Sequence, residues 1–257
     1  PVQQRPVRHK IKRKKMKTII LFGASSAIAK AYVKHLQNQT IEFNIVCVSS
    51  SNHVPQHSNN ITFYNTDYSA DSLFGLTQLL KDEQADIHQV IMFNGKLHNS
   101  EHMPEKKLED INADYFNLLL NANTLTPLLC LQSVLPLINH KTHCTITALS
   151  ARVGSINDNK MGGWYTYRAS KSALNMLFKT AAVELARRAK NTKLVLFHPG
   201  TTDTDLSKPF QKNVPEGKLF TPEFVAHQLF DLTNNNPDLE LNGEPAYLDW
   251  QGSTIPW

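Results

Sequence analysis

Tyr167 and Lys171 are four residues apart in the stretch GWYTYRASKSALNM, whose apolar residues recur with the period of a helix. In a helix this spacing places the two side chains on one face, a single turn apart. A nearby ammonium group stabilises a phenolate, and so lowers the pKa of a tyrosine from its reference value of about 10. The pair therefore predicts a general acid or base at Tyr167.

Two other polar residues could take part in the same chemistry. Ser150 ends the apolar run CTITAL, so it offers a hydroxyl donor at the end of a predicted strand. Asn123 lies four residues before Pro127, which has no N–H to donate to the Asn123 carbonyl. That carbonyl is therefore free to hold a water molecule. Each residue also has a plainer interpretation, as a turn or helix-capping serine and as the site of a proline kink.

A loop of small residues follows the first apolar run. Residues 18–22 (TIILF) lead into Gly23 and then ASSAIA, where a helix is predicted to begin. Backbone amides at such a helix start bind nucleotide phosphates. Loops of this kind usually contain several glycines, whereas this one has only Gly23. Alternatively, this loop is only a turn and holds no dinucleotide.

The elements that position these residues alternate between strand and helix. Strands are predicted near 18–22, 43–48, 61–64, 89–93, 144–149 and 193–198, and helices near 27–37, 70–83, 107–139, 165–189 and 222–234. This alternation predicts an α/β fold: a single doubly wound (Rossmann) domain with a central parallel sheet of about seven strands, flanked by helices. In this architecture ligands bind beyond the carboxyl ends of the strands.

Composition and charge restrict the class of protein. At 257 residues, the chain suits one domain over residues 16–257, and no apolar run approaches the roughly 20 residues of a membrane span. The three cysteines, Cys47, Cys130 and Cys144, are odd in number and widely spaced, which indicates neither a disulfide framework nor a zinc site. We therefore expect a soluble cytoplasmic protein with no metal site and no membrane partner.

The formal charge of +5 comes from the first 15 residues. This segment holds seven of the 27 basic residues and no acid, so 20 basic and 22 acidic residues remain elsewhere, a formal charge of −2. A basic arm that binds nucleic acid is one interpretation. A disordered tail, or an extension before a natural start at Met16, is the other. We expect no nucleic-acid partner.

Taken together, these motifs resemble the short-chain dehydrogenase/reductase superfamily over nearly all of residues 17–257. The resemblance rests on GASSAIA after residue 22, Asn123, Ser150, the Tyr167–Lys171 pair and HPGTTDTDL. The segments SARVGSINDN, GGWYTYRASKSALN and DWQGSTIPW more specifically resemble its C-factor-like branch. The resemblance implies a nicotinamide cofactor and hydride transfer between it and a small carbonyl or alcohol substrate.

The same resemblance implies a role for each catalytic residue. Tyr167 would donate the proton to the carbonyl oxygen, and Lys171 would hold the nicotinamide ribose and tune Tyr167. Ser150 would polarise the carbonyl oxygen, although in the superfamily pattern the serine stands three residues before the glycine, a position that Ala151 occupies here. A one-residue shift would place Ser150 correctly, and Ser155 is a further candidate. The Asn123 carbonyl would anchor a water molecule in the proton relay.

The cofactor site implied by the resemblance spans several loops. Its family loop GxxxGxG maps to Gly23, Ala27 and Ala29, and alanine is an accepted substitute for the last glycine. The residues expected to contact the cofactor are Gly23, Ser25, Ser26, Ala27, Ile28, Ser50, Asp67, Asn94, Gly95, Tyr167, Lys171, Pro199, Gly200, Thr202 and Thr204. Asp67 resembles the family's adenine-contacting acid, with an acid at the start of a helix as the alternative.

The choice between the two nicotinamide cofactors depends on the end of the second strand. VSSSN contains no acid to bind a ribose 2′-hydroxyl and no arginine for a 2′-phosphate. Its serine hydroxyls, with His53, could accommodate the phosphate, so we expect NADP, with NAD as the alternative.

Two expectations concern the protein as a whole. The resemblance implies a homodimer or homotetramer that pairs through helices near 107–139 and 165–189. Residues 203–220 have the composition of a lid, and a simple long loop is the alternative. A cofactor-binding regulatory or signalling protein with little turnover is the competing function.

Overall fold

The computed structural model describes residues 16–51, 60–138, 141–234 and 239–257. The strands of its main sheet are β1 (Lys17–Phe22), β2 (Phe43–Ser49), β3 (Ile61–Asn65), β4 (Asp86–Met92), β5 (Cys144–Leu149), β6 (Thr192–His198) and β9 (Ala246–Asp249). They are all parallel and lie in the order β3-β2-β1-β4-β5-β6-β9. The predicted doubly wound α/β fold with seven strands is confirmed. The basic segment 1–15 and His53 lie outside the described residues.

Helices cover both faces of the sheet. They are α1 (Ala27–Gln37), α2 (Ala70–Asp82), α3 (Ala113–Leu120), α4 (Thr126–Val134), α5 (Tyr165–Arg188) and α6 (Pro222–Asn234). One core joins the sheet to α2, α4 and α5, and the other joins it to α1 and α6. Along β1, Ile20 and Phe22 enter the first core while Ile19 and Leu21 enter the second. The run is uninterruptedly apolar because both of its faces are buried.

The single helix predicted over 107–139 is wrong in detail. The structure has α3, then a π-helical turn at Asn121–Leu125, then α4 and a 3-10 turn at Leu135–Leu137. In the π turn the Thr126 amide donates to the Asn121 carbonyl. The widening occurs just before Pro127, whose missing N–H interrupts the regular helical ladder.

The helical run Ala113–Leu137 is long and apolar enough to cross a membrane, judged by length and composition alone. A core helix of a soluble protein passes the same test. Here the run contributes Cys130, Leu131 and Val134 to the core that contains α2 and α5. Its buried residues therefore pack against other elements of this chain.

Two short strands close the loop that follows β6. They are β7 (Thr201–Thr202) and β8 (Leu219–Phe220), which pair in parallel. The Asp203 amide donates to the Phe220 carbonyl at 2.8 Å, so the expected lid over 203–220 is tied together at its two ends. A 3-10 helix at Lys208–Asn213 lies between them. This segment follows β6 and so begins at the carboxyl edge of the sheet. Its role as a lid stays a prediction.

Candidate active site

Helix α5 brings Tyr167 and Lys171 together, as the sequence predicts. Both side chains are buried, and the Lys171 Nζ lies 5.9 Å from the centre of the Tyr167 ring. Nζ also donates to the Leu149 carbonyl at 2.8 Å, which joins the helix to the end of β5. The Tyr167 hydroxyl has no hydrogen bond to any residue that the structure describes. It is therefore free to donate to another molecule.

The protonation of this pair differs from the expectation. Burial raises the pKa of Tyr167 above its ordinary value, and the neighbouring Tyr115 and Tyr247 raise it further. Lys171 does not offset this rise, and burial lowers the pKa of Lys171 itself to about 8. The expected lowering of the Tyr167 pKa is wrong for this structure. A protonated phenol at neutral pH suits an acid that donates a proton to a carbonyl oxygen.

The geometry does not support Ser150 as the hydroxyl that polarises the carbonyl. The Ser150 Oγ donates to the Asn175 Oδ1 at 2.7 Å in a buried position. The next residue, Ala151, has extended backbone, so its side chain points the opposite way. Ala151 packs in the buried apolar cluster that contains Tyr167. A methyl group thus lies beside Tyr167 at the position that the family pattern gives to serine.

Ser155, the other candidate serine, is also engaged elsewhere. It is buried, and its Oγ accepts a hydrogen bond from the Asp158 amide at 3.0 Å. This bond stabilises the turn that follows the 3-10 helix Arg152–Gly154. Neither serine hydroxyl is bonded to Tyr167 among the described residues.

Asn123 lies at the π turn and is completely buried. Its Oδ1 accepts from the Lys96 amide at 2.7 Å, and its Nδ2 donates to the Lys96 carbonyl at 2.9 Å. Nδ2 also donates to the Ser170 Oγ on α5 at 2.9 Å. The side chain therefore joins the loop after β4 to α5, a structural role that the sequence did not predict. Pro127 supplies no N–H to the Asn123 carbonyl, and the water-holding role of this carbonyl stays a prediction.

The loop after β1 has the backbone that a phosphate site requires. Gly23 has φ +71°, and a Cβ there would lie 2.9 Å from the Asn94 amide nitrogen, so only glycine fits. Ser26 caps α1 by accepting from the Ala29 amide at 3.2 Å. The first turn of α1 carries no acid, which leaves its positive dipole unopposed. Of the predicted loop residues, Ser25 and Ala27 lie at this turn, while the Ile28 side chain is in the core.

Buried polar atoms without partners mark the same edge of the sheet. Within the described residues these include Ser51 Oγ beyond β2, Asn94 Oδ1 beyond β4 and Thr202 Oγ1 in β7. Native proteins rarely leave such atoms unsatisfied. Asn94 lies directly beside Gly23, where an unpartnered oxygen fits a polar ligand such as a dinucleotide.

Predicted residues on the adenosine side are more exposed. Ser50 is exposed, and Ser51, another serine of the VSSSN stretch, carries the unpartnered hydroxyl. Asp67 is exposed, and its Oδ1 accepts from the Ser69 amide at 2.8 Å. Ser69 caps α2, so this contact supports the alternative interpretation of Asp67 as an acid at a helix start.

Of the residues predicted on the nicotinamide side, Gly95 lies beside Lys171. A Cβ on Gly95 would lie 3.6 Å from the Lys171 Nζ, which places this loop directly beside α5. After β6, Pro199 precedes Gly200, whose φ of +70° and close contact with the Phe220 ring leave no room for a side chain. Thr204 follows, and its Oγ1 donates to the Thr202 carbonyl at 3.4 Å.

The sequence did not reveal four residues that shape the site. Tyr68 accepts a hydrogen bond from the Gly23 amide at 3.0 Å and has a left-handed backbone, with φ 62°. Glu105 is buried and accepts from both the amide and the hydroxyl of Thr166 at the start of α5. Trp164 and Phe210 pack against the Tyr167 cluster. All these contacts join residues more than 40 positions apart, or depend on ring placement, so no local motif signals them.

The geometry agrees with a known protein family. Residues 17–215 match the family model described as short chain dehydrogenase. The chain belongs to the short-chain dehydrogenase family. The resemblance stated from the motifs is therefore confirmed. No group of three or more His, Cys, Asp or Glu side chains in the described part of this family member could hold a metal ion.

Three similar proteins illustrate the relationship. A 1-hydroxy-2-glutathionyl-2-methyl-3-butene dehydrogenase from Rhodococcus sp. (strain AD45) is 27% identical over 243 residues, which are 94% of this chain and 100% of the relative. The C-signal protein of Myxococcus xanthus is 33% identical over 135 residues, or 52% of this chain and 74% of the relative. An NADPH-bound carbonyl reductase from chicken fatty liver shares the fold, with a TM-score of 0.76 at 19% identity over 95% of this chain and 96% of that one.

Proposed function

We propose that the protein is an NADP-dependent oxidoreductase that interconverts a small carbonyl compound and its alcohol. The observation that supports this most directly is the free, protonated hydroxyl of Tyr167, buried beside Lys171 at the carboxyl edge of the sheet. The related dehydrogenase and the NADPH-bound carbonyl reductase make the reaction type and the cofactor reasonable for this chain.

Each residue of the site has a defined task in this proposal. When bound, NADPH would supply the hydride that the carbonyl carbon receives. The Tyr167 hydroxyl gives its proton to the carbonyl oxygen, so that an alcohol forms. Lys171, held by the Leu149 carbonyl, lies next to Gly95, where its remaining N–H donors can reach the nicotinamide ribose. The Asn123 carbonyl holds the water that returns a proton to Tyr167.

The residues around the phosphate loop hold the rest of the cofactor. The amides and dipole at the start of α1 would hold the diphosphate, and Asn94 and Thr202 would offer their unpartnered oxygens to polar groups of the ligand. Ser50 and Ser51 lie at the end of β2, and no acid stands there in the described residues to repel a 2′-phosphate. NADP is therefore preferred to NAD.

Cofactor binding tests this proposal. Titration of the purified protein with NADPH, followed by the fluorescence of the nicotinamide, should saturate at lower concentrations than titration with NADH. Ala27→Gly is the matched variant, since it opens the backbone where the pyrophosphate approaches, and should tighten binding. Failure to bind either cofactor would contradict the proposed function.

A second candidate is a cofactor-binding regulatory protein with little turnover. The methyl group of Ala151 beside Tyr167, and the Ser150 hydroxyl held by Asn175, favour it. Saturable NADPH binding without consumption of NADPH across a carbonyl panel would support this candidate over the first.

We also propose a cytoplasmic homodimer or homotetramer. Leu125 near the start of α4 and Met176 and Val183 on α5 are exposed apolar side chains that suit a helix-to-helix interface. Cys47, Cys130 and Cys144 are free and buried, which is compatible with a reducing compartment. Light scattering coupled to gel filtration measures the oligomeric state. A monomer at micromolar concentration would contradict the proposed dimer or tetramer.

A further inference from the structure

Apolar and aromatic side chains pack around the Tyr167 ring, and the Lys171 Nζ lies 5.9 Å from its centre. The buried members of this set are Leu97, Tyr115, Leu119, Ala151 and Tyr167, and the half-buried Val153, Trp164 and Phe210 pack against them. We call this set the aromatic cluster. None of its members carries a charge, and the Tyr115 hydroxyl is already bonded to the Leu97 carbonyl. A molecule that meets the Tyr167 hydroxyl therefore lies near this apolar and aromatic surface as well as near Lys171.

Two rings form the accessible part of the cluster. Trp164 packs against Phe210 with 4.9 Å between ring centres, and edge-on against Tyr167 at 6.0 Å. His98 extends the row with an edge contact to Phe210 at 5.9 Å. Because Trp164 and Phe210 touch each other, a ligand ring cannot lie between them and must pack against the pair.

Both rings are held by backbone and side-chain contacts. The Trp164 amide donates to the Glu105 carbonyl at 2.6 Å, and Trp164 has a left-handed backbone with φ 53°. Phe210 is on the 3-10 helix Lys208–Asn213, where Gln211 donates to Asp203 and Ser207 at 2.9 Å each. The rings are therefore positioned before any ligand arrives, which limits the ordering cost of binding.

We propose that the substrate is an uncharged carbonyl compound with an aromatic ring next to the carbonyl carbon, and that Trp164 and Phe210 bind this ring. The inference rests on the proposed function and adds the substrate class. Edge and offset contacts between rings favour an aryl over a saturated ring of equal size by about 2- to 10-fold in binding. A charged substituent on the ring would lose its hydration against the cluster, so charged analogues should be poor substrates.

Two matched pairs of aldehydes test the inference. Consumption of NADPH is measured with benzaldehyde against cyclohexanecarbaldehyde, and with 4-methylbenzaldehyde against 4-carboxybenzaldehyde. The ratio of kcat/KM within each pair is compared between the wild type, Trp164→Leu and Phe210→Leu. Phe74→Leu is the control, since Phe74 is an exposed aromatic on α2, outside the cluster. Because each ratio is compared between the wild type and a variant, the different intrinsic reactivities of the two aldehydes cancel.

The inference predicts that Trp164→Leu and Phe210→Leu lower the aryl-to-cyclohexyl ratio by about 2- to 10-fold, mainly through KM, and that Phe74→Leu does not. The carboxylate should lower kcat/KM of the wild type. If Trp164→Leu fails to fold, Phe210→Leu on the exposed loop decides alone. Unchanged ratios in an active enzyme would overturn the substrate class and leave the proposed function standing. If the protein binds NADPH but none of the four aldehydes leads to NADPH consumption, both the substrate class and the proposed function are overturned.

Discussion

Ala151 and Ser150 show how one residue of register decides the chemistry of a site. The extended backbone at Ala151 turns successive side chains to opposite sides, so the hydroxyl of Ser150 meets Asn175 while the methyl of Ala151 meets Tyr167. The sequence places a serine within one residue of the family position. It could not tell which side that serine faces, because the end of β5 has no periodic pattern beyond residue 149.

We predict that Ala151→Ser increases kcat/KM for a carbonyl substrate. The new hydroxyl would lie in the Tyr167 cluster, where it can donate to the carbonyl oxygen as negative charge develops. One buried hydrogen bond contributes about 0.5–1.5 kcal/mol, or about 2- to 10-fold. Steady-state kinetics measure the change.

Ser150→Ala is the matched control for this substitution. It removes the donor to the Asn175 Oδ1 and should lower the free energy of unfolding by about 1–3 kcal/mol, with little change in kcat. A large loss of kcat in Ser150→Ala without a gain in Ala151→Ser would return the catalytic role to Ser150.

At the scale of the elements, the start of α5 depends on a residue 60 positions away. Glu105 is 2% exposed, and its carboxylate accepts from the Thr166 amide at 3.2 Å and from the Thr166 hydroxyl. No ion pair to Glu105 is found in the described ranges of the chain. The amides and dipole of a 24-residue helix therefore stabilise its carboxylate. Tyr167 is the third residue of that helix, so Glu105 is a positioning residue for Tyr167.

We predict that Glu105→Ala lowers kcat more than it raises KM, because the first turn of α5 loses its cap and Tyr167 loses its fixed position. The free energy of unfolding should fall by about 1–2 kcal/mol. Glu105→Gln keeps one acceptor oxygen and should restore part of kcat. Glu109→Ala, at an exposed acid of the same loop, is the control and should change neither quantity. Equal loss of kcat in Glu105→Ala and Glu109→Ala would argue against a positioning role.

The local sequence pattern predicted strands and helices well where the apolar pattern is strong. It predicted them less well where contacts between distant residues determine the local structure. The six predicted strands agree with β1 to β6 within a few residues, since parallel buried strands are continuous apolar runs. Strand β9 was included only in the predicted total of about seven strands, without residue bounds, because it is only four residues long (AYLD). The helix predicted over 107–139 missed the π turn, although Pro127 gave the signal.

At the scale of the whole molecule, the site reduces the stability of the fold. Burial lowers the pKa of Lys171 from 10.5 to about 8, whereas in the unfolded chain it titrates near 10.5. Between about pH 8 and 10.5 the unfolded state binds more protons, so the Lys171 contribution to stability rises with pH in this window. Below pH 8 the buried ammonium costs the folded state about 3 kcal/mol.

We predict that Lys171→Met changes stability in a pH-dependent way. Below pH 8 the variant avoids the buried ammonium, and at every pH it loses the hydrogen bond to the Leu149 carbonyl, worth about 1 kcal/mol. The unfolding free energy of the variant minus that of the wild type should therefore fall by about 3 kcal/mol from pH 8 to pH 10.5. Denaturant titrations at several pH values measure it. A difference that is constant with pH would show that Lys171 is not destabilised by burial.

The central claim is that Tyr167 transfers the proton, and a comparison of the wild type with Tyr167→Phe tests it most directly. Both proteins are titrated with NADPH and then assayed for NADPH consumption with a reducible aldehyde. We predict similar dissociation constants for NADPH, because the ring that packs in the cluster is kept, and a loss of turnover of about 10²- to 10⁴-fold in the variant. A Tyr167→Phe protein that reduces the aldehyde at the wild-type rate would contradict the claim.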